Sequence, residues 1–176
     1  MDDYRYQALR TLTRARFDVI QNLTREKQRF ANYLFLKCSG IAQDKDIQNT
    51  SATTIALMER FETVDDLANA DLEELTSFID EKGRNFADPA AKAKAIQTAA
   101  RDSYRLPITV NNSVNQAMAV SIASMRALER QVKVLDKAIE HQFEIIPNTL
   151  TSIPGIGKVY SCLLYTSPSP RDGATS

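Results

Sequence analysis

Between Thr109 and Ile146 the positions Val114, Met118, Ser121, Met125, Leu128, Val132, Leu135, Ile139, Gln142 and Ile146 alternate spacings of four and three. That repeat predicts one long helix with a coiled-coil seam sustained over four heptads. Ile122 and Phe143 widen the seam on one side. A second helical stripe, Leu9, Leu12, Val19, Leu23, Phe30 and Leu34, runs through Tyr4–Leu36 with no proline or glycine to interrupt it. Arg16 and Glu26 fall on that stripe, and Arg5, Arg10, Arg14, Arg25 and Arg29 lie on its flanks. Gly40, in Cys38-Ser39-Gly40, is placed to cap the C-terminus of this helix.

Residues 41–108 carry shorter periods and clear start signals. Ser51 can cap a helix through Phe61, and Asp71 one from Leu72 to about Glu81. Asp88-Pro89 opens an alanine-rich helix to about Tyr104, because proline is pre-set for the first helical position, and Leu106-Pro107 ends it. No alternating strand pattern of useful length occurs. The expected fold is mainly α, an extended helical fragment organised by its coiled coil. The seam has two partners open to it, a second copy or the Tyr4–Leu36 helix packed antiparallel. Val132 and Ile139 at a-type positions with Leu128 and Leu135 at d-type positions suit a parallel dimer. The expectation is therefore a homo-oligomer through Met118, Met125, Leu128, Val132, Leu135 and Ile139.

Pro147 closes the long helix, and Thr151-Ser152-Ile153-Pro154-Gly155-Ile156-Gly157-Lys158-Val159 follows. Gly155 and Gly157 permit a sharp turn that exposes N–H groups at a helix start. With the helix dipole and Lys158 those groups suit a nucleic-acid phosphate. This reads as the start of a helix-hairpin-helix-like element.

Charge sharpens the picture. The net charge is +0, yet residues 1–37 hold eight Lys/Arg against four Asp/Glu, and residues 62–82 hold eight acids against Lys82 alone. Arg10, Arg14, Arg16 and Arg25 are the candidate phosphate contacts of the first helix. The acids of 62–82 read as a solvated surface. Cys38 and Cys162 form no metal or disulfide framework, and His141 is the only histidine. Asp2 and Asp3 read as a helix N-terminal charge pair, and Ser152 and Ser161 have no nearby base. No catalytic residue, metal ligand or cofactor is expected here. No apolar run approaches the ~20 residues of a membrane span, so the expected location is the cytoplasm.

The order of these elements resembles a known group. A basic start, Arg10-Thr11-Leu12-Thr13-Arg14-Ala15-Arg16, then short helices, a coiled coil and Leu150-Thr151-Ser152-Ile153-Pro154-Gly155-Ile156-Gly157 is similar to one family. It is that of the insertion-sequence transposases related to the Piv/MooV DNA invertases, known by the number one-ten. The resemblance covers roughly residues 4–162 and implies a bacterial or archaeal DNA recombinase. Such proteins have a RuvC-like nuclease domain with four Mg²⁺-binding carboxylates, a coiled coil, and a C-terminal transposase domain with a catalytic serine. Some are guided by a structured RNA. The implied division is 1–37, the basic helix ending the RuvC-like domain; 38–108, short helices; 109–147, the coiled coil; and 148–164, the start of the transposase domain. The carboxylates would precede this chain and the serine would follow it; Ser161 is too close to the hairpin. Mg²⁺ is then implied for the whole family protein and not for this fragment, which is expected to be inactive. Residues 165–176, Tyr165-Thr166-Ser167-Pro168-Ser169-Pro170 onward, resemble an artefactual disordered tail. The expected function is a DNA-binding, dimerising transposase fragment with DNA, and in some members guide RNA, as partner. Two other readings stay open: a stand-alone coiled-coil dimer with a helix-hairpin-helix DNA-binding module, and a structural helical protein that touches no nucleic acid.

Overall fold

The computed structural model describes residues 4–83 and 87–145. Among them the chain is mainly helical, with seven helices and no strand. In chain order they are α1 (Tyr4–Lys37), α2 (Ser39–Gln43), α3 (Ala52–Arg60), α4 (Val64–Ala68), α5 (Leu72–Lys82), α6 (Pro89–Arg101) and α7 (Ile108–Ile145). No helix among the described residues is long and apolar enough to cross a membrane. The chain forms two compact units, one of Met1–Thr24 with Arg126–Ser176 and one of Arg25–Met125. The expected breaks at 37/38 and 108/109 fall at helix ends, whereas the compact units divide both long helices at 24/25 and 125/126.

In Arg25–Met125 the short helices start where side chains satisfy the free first-turn N–H groups. Ser51 Oγ accepts from Thr54 N at 3.1 Å, Asp71 Oδ1 from Glu74 N at 2.9 Å, and Asp88 Oδ1 from Ala91 N at 2.9 Å. Sequence periodicity does not reveal α4, whose five residues are too few to show a period. Its signal is a capping box, with Thr63 N donating to Asp66 Oδ2 at 2.9 Å and Asp66 N donating to Thr63 Oγ1 at 3.1 Å. The Thr63 hydroxyl, donating to Asp66 Oδ2 at 2.7 Å, and the Thr63 N–H together hold the Asp66 carboxyl below its ordinary pKa. Helix α6 ends at Arg101, short of Tyr104. Pro107 immediately precedes the next helix, its carbonyl accepting from Val110 N and Asn111 N at 3.0 and 2.9 Å.

The core of this unit gathers around α6, which packs against α2, α4 and α5. Phe30, Leu34, Ile41, Leu57, Leu67, Leu75, Ile79 and Ile96 are fully buried there. The expectation for Gly40 is corrected. Cys38 breaks α1 by turning to φ −145°, ψ 77°, and Gly40 lies inside α2. There it permits close approach to α6: a Cβ at Gly40 would collide with the Ala99 carbonyl and stand 3.0 Å from Ser103 Oγ. Ser103 Oγ accepts from Gly40 N at 2.9 Å and donates to Ala99 O at 2.8 Å, joining the two backbones. Val114, Met118, Ser121, Ile122 and Met125 of α7 are also buried, in the heptad register the sequence predicts.

The other unit pairs the first half of α1 with the second half of α7. Leu9, Ile139 and Phe143 form its buried cluster, with Leu12 packed against it. Arg16 Nε bonds Asp136 Oδ1. Position 9 meets 139 and 143 while position 16 meets 136, so the pairing is antiparallel. Leu128, Val132 and Leu135 are half-buried on the same face. This revises the expectation for the seam. Met118, Met125 and Ile139, expected to mediate self-association, are 2%, 2% and 0% exposed within a single chain. Packing inside one chain avoids the translational and rotational entropy that a dimer must give up.

Candidate nucleic-acid interface

Arg10 and Arg14 are four residues apart on α1, so they share one flank of the helix. Both are exposed, and neither has a hydrogen bond or ion pair among the described residues. The hydroxyl of Thr11 beside them is turned onto its own helix, donating to Gln7 O at 2.9 Å. The flank therefore presents positive charge to solvent, which suits contact with phosphate. Asp18, one turn beyond Arg14, is exposed on the same flank and offsets part of that charge.

Arg16 does not belong with them. Two residues after Arg14 it is rotated onto the seam, where it pairs with Asp136; the two side chains are 23% and 33% exposed. With its Nε bonded to a half-buried carboxylate, the Arg16 charge is offset within the chain, and Arg16 offers phosphate less than Arg10 and Arg14 do. Its place on the apolar stripe is the signal available in the sequence; Asp136, beside the facing stripe, carries no comparable mark. Arg25 belongs to the other compact unit. It is exposed and unpaired among the described residues, while Arg29 donates to Glu26 Oε2 at 2.9 Å. Gly155, Gly157 and Lys158, together with Asp2, Asp3, Ser152, Ser161, Cys162 and the segments 148–164 and 165–176, lie outside the described residues.

Two reactive side chains sit at the end of α1, and both are structural. Lys37 is 3% exposed. Its Nζ donates to Met58 O at 3.0 Å and Phe61 O at 2.6 Å, the free carbonyls at the negative end of α3. Burial lowers its pKa to about 8, opposed by the charges of Cys38, Glu62 and Asp66. A groove of about 410 Å³ borders it, but the ammonium hydrogens are directed at carbonyls, so the group caps a helix. Sequence spacing gives no hint of this role, because Met58 and Phe61 are distant in the chain. Cys38 is 1% exposed, and burial pushes its thiol pKa up, opposed by its hydrogen bond with Ser103 Oγ at 3.3 Å. That thiol is poorly disposed to form the reactive thiolate. Among the described residues no three His, Cys, Asp or Glu side chains gather as metal ligands would.

No protein-family model, curated protein or solved structure matches this chain.

Proposed function

We propose that this chain is a nucleic-acid-binding, non-catalytic helical part of a DNA transposase, contacting phosphate through α1. The observation that carries the reading is the exposed, unpaired pair Arg10 and Arg14 on one flank of an unbroken helix. The element order and the Pro154-Gly155-Ile156-Gly157 turn add the transposase identity by resemblance alone. Among the described carboxylates, Asp66 and Asp71 are engaged in helix caps and Asp65 pairs with Arg105. No reaction step is assigned to them.

Binding should be weak, indifferent to sequence and steeply salt-dependent. The test is fluorescence anisotropy of the full chain with mixed-sequence duplex DNA and with a structured RNA. Arg10→Gln with Arg14→Gln should flatten the log–log salt slope on duplex DNA by about 1.8 units, about 0.9 for each phosphate no longer neutralised. Absence of binding to both nucleic acids at low salt would overturn the reading in favour of a structural helical protein. The transposase assignment is tested on the surrounding genomic DNA, where codons for a four-carboxylate nuclease domain upstream support it and their absence counts against it.

A further inference from the structure

The heptad that turns one face of α7 inward leaves the opposite face to solvent. On that face Arg126, Arg130, Lys133 and Lys137 follow one another at spacings of four, three and four, and all are exposed. This is the period of the apolar seam, displaced to the far side of the same helix. At ~1.5 Å rise per residue the row is about 16 Å long. Arg130, Lys133 and Lys137 have no hydrogen bond or ion pair among the described residues. Glu129 lies one turn before Lys133 and Glu140 one turn beyond Lys137, both exposed, and neither forms an ion pair with the row. The remaining carboxylate of the stretch, Asp136, is bonded to Arg16. Arg130 also borders a groove of about 470 Å³ lined by Val19, Ala127, Gln131, Val134 and Leu135. No aromatic ring lines that groove, so it offers no platform for stacking a base. The complementary partner is a line of regularly spaced anions without required base contacts.

We propose that the solvent face of α7, through Arg130, Lys133 and Lys137, is a second phosphate-binding surface that follows the backbone of a nucleic-acid helix. The inference rests on the nucleic-acid reading above but on a different helix from Arg10 and Arg14, so the two can fail separately. The experiment titrates salt against binding of the full chain to mixed-sequence duplex DNA, to a structured RNA and to phosphatidylserine vesicles. Arg130→Gln, Lys133→Gln and Lys137→Gln together should flatten the duplex slope by about 2.7 units, about 0.9 for each phosphate released. Lys133→Arg with Lys137→Arg should keep the wild-type slope, because charge is retained. Glutamine is a good helix former, and circular dichroism checks that helicity is kept. If the triple variant loses helicity, Lys137→Gln alone should still remove about 0.9 units. Wild-type slope in the glutamine variants, with a reduced slope in the Arg10/Arg14 variant, overturns this surface and leaves the α1 reading standing. A loss confined to vesicles overturns it in favour of an anionic membrane. No nucleic-acid binding by the wild-type chain overturns both.

Discussion

Arg25–Met125 buries large apolar side chains from α1 through α7, including Phe30, Ile41, Leu57, Leu67, Leu75, Ile79, Ile96 and Met118. In Met1–Thr24 with Arg126–Ser176, the buried residues among those described are Leu9, Thr13, Ile139 and Phe143. The difference follows from geometry. Several helices converging on α6 enclose one another's apolar faces, and Gly40 and the buried alanines Ala93, Ala99 and Ala100 let backbones approach closely. A two-helix seam encloses its residues less completely, so Val19 and the a- and d-type residues Leu128, Val132 and Leu135 remain half-buried. One unit is built for enclosure. The other devotes its sequence to a long exposed surface, and that surface carries Arg10, Arg14 and the cationic row of α7.

The sharpest way to break the contrast is Gly40→Ala. The added Cβ meets backbone at Ala99, which has no rotamer through which to yield, so the loss should reach or exceed the upper end of the usual overpacking range of about 1–3 kcal/mol. Hydrogen exchange should accelerate across α2 and α6, with little change around Ile139 and Phe143. Unchanged protection in α6 would mean that the Gly40–Ala99 approach is not what holds α2 in place.

Lys37 provides a test by pH. Its pKa falls from 10.5 to about 8 on folding. Between those values the unfolded chain keeps a proton that the folded chain has released, so stability should rise with pH across that window. Measured against Lys37→Met by urea denaturation, the wild type should gain up to about 3 kcal/mol from below pH 8 to above pH 10.5. Below pH 8 the cost of burying the ammonium is fully present. Parallel stability curves for the two proteins would show that Lys37 is better solvated than its position implies.

The smallest expected effect belongs to the seam. A double-mutant cycle on Arg16→Ala and Asp136→Ala should give a coupling of about 0.2–1 kcal/mol, since both groups keep some contact with water. Coupling of several kcal/mol would mean that this pair, more than Leu9, Ile139 and Phe143, decides the antiparallel register.

Ser51, Asp71 and Asp88-Pro89 mark their helices directly, and the heptad from Val114 to Ile139 marks the buried face of α7 in its correct register. These features are local: a cap acts over three residues, and a helical face repeats every three or four. The capping box at Thr63 and Asp66 is also legible in the residues, but α4 is too short for its period to announce it. The exposed flank of Arg10 and Arg14 follows from their spacing relative to the apolar stripe. The same rule places Arg16 on the seam without naming what meets it.

The amino-acid sequence by itself determined the mainly α class, most helix starts and the inward face of each long helix, because backbone hydrogen bonds and side-chain periodicity operate within a few residues. Only the tertiary structure decided that the seam pairs within the chain, that Gly40 serves close packing against Ala99, and that Lys37 caps α3. It also decided that Arg16 pairs with Asp136 across the seam. Each of these joins residues that sequence spacing does not relate, through contacts whose energy exists only once distant helices have packed together.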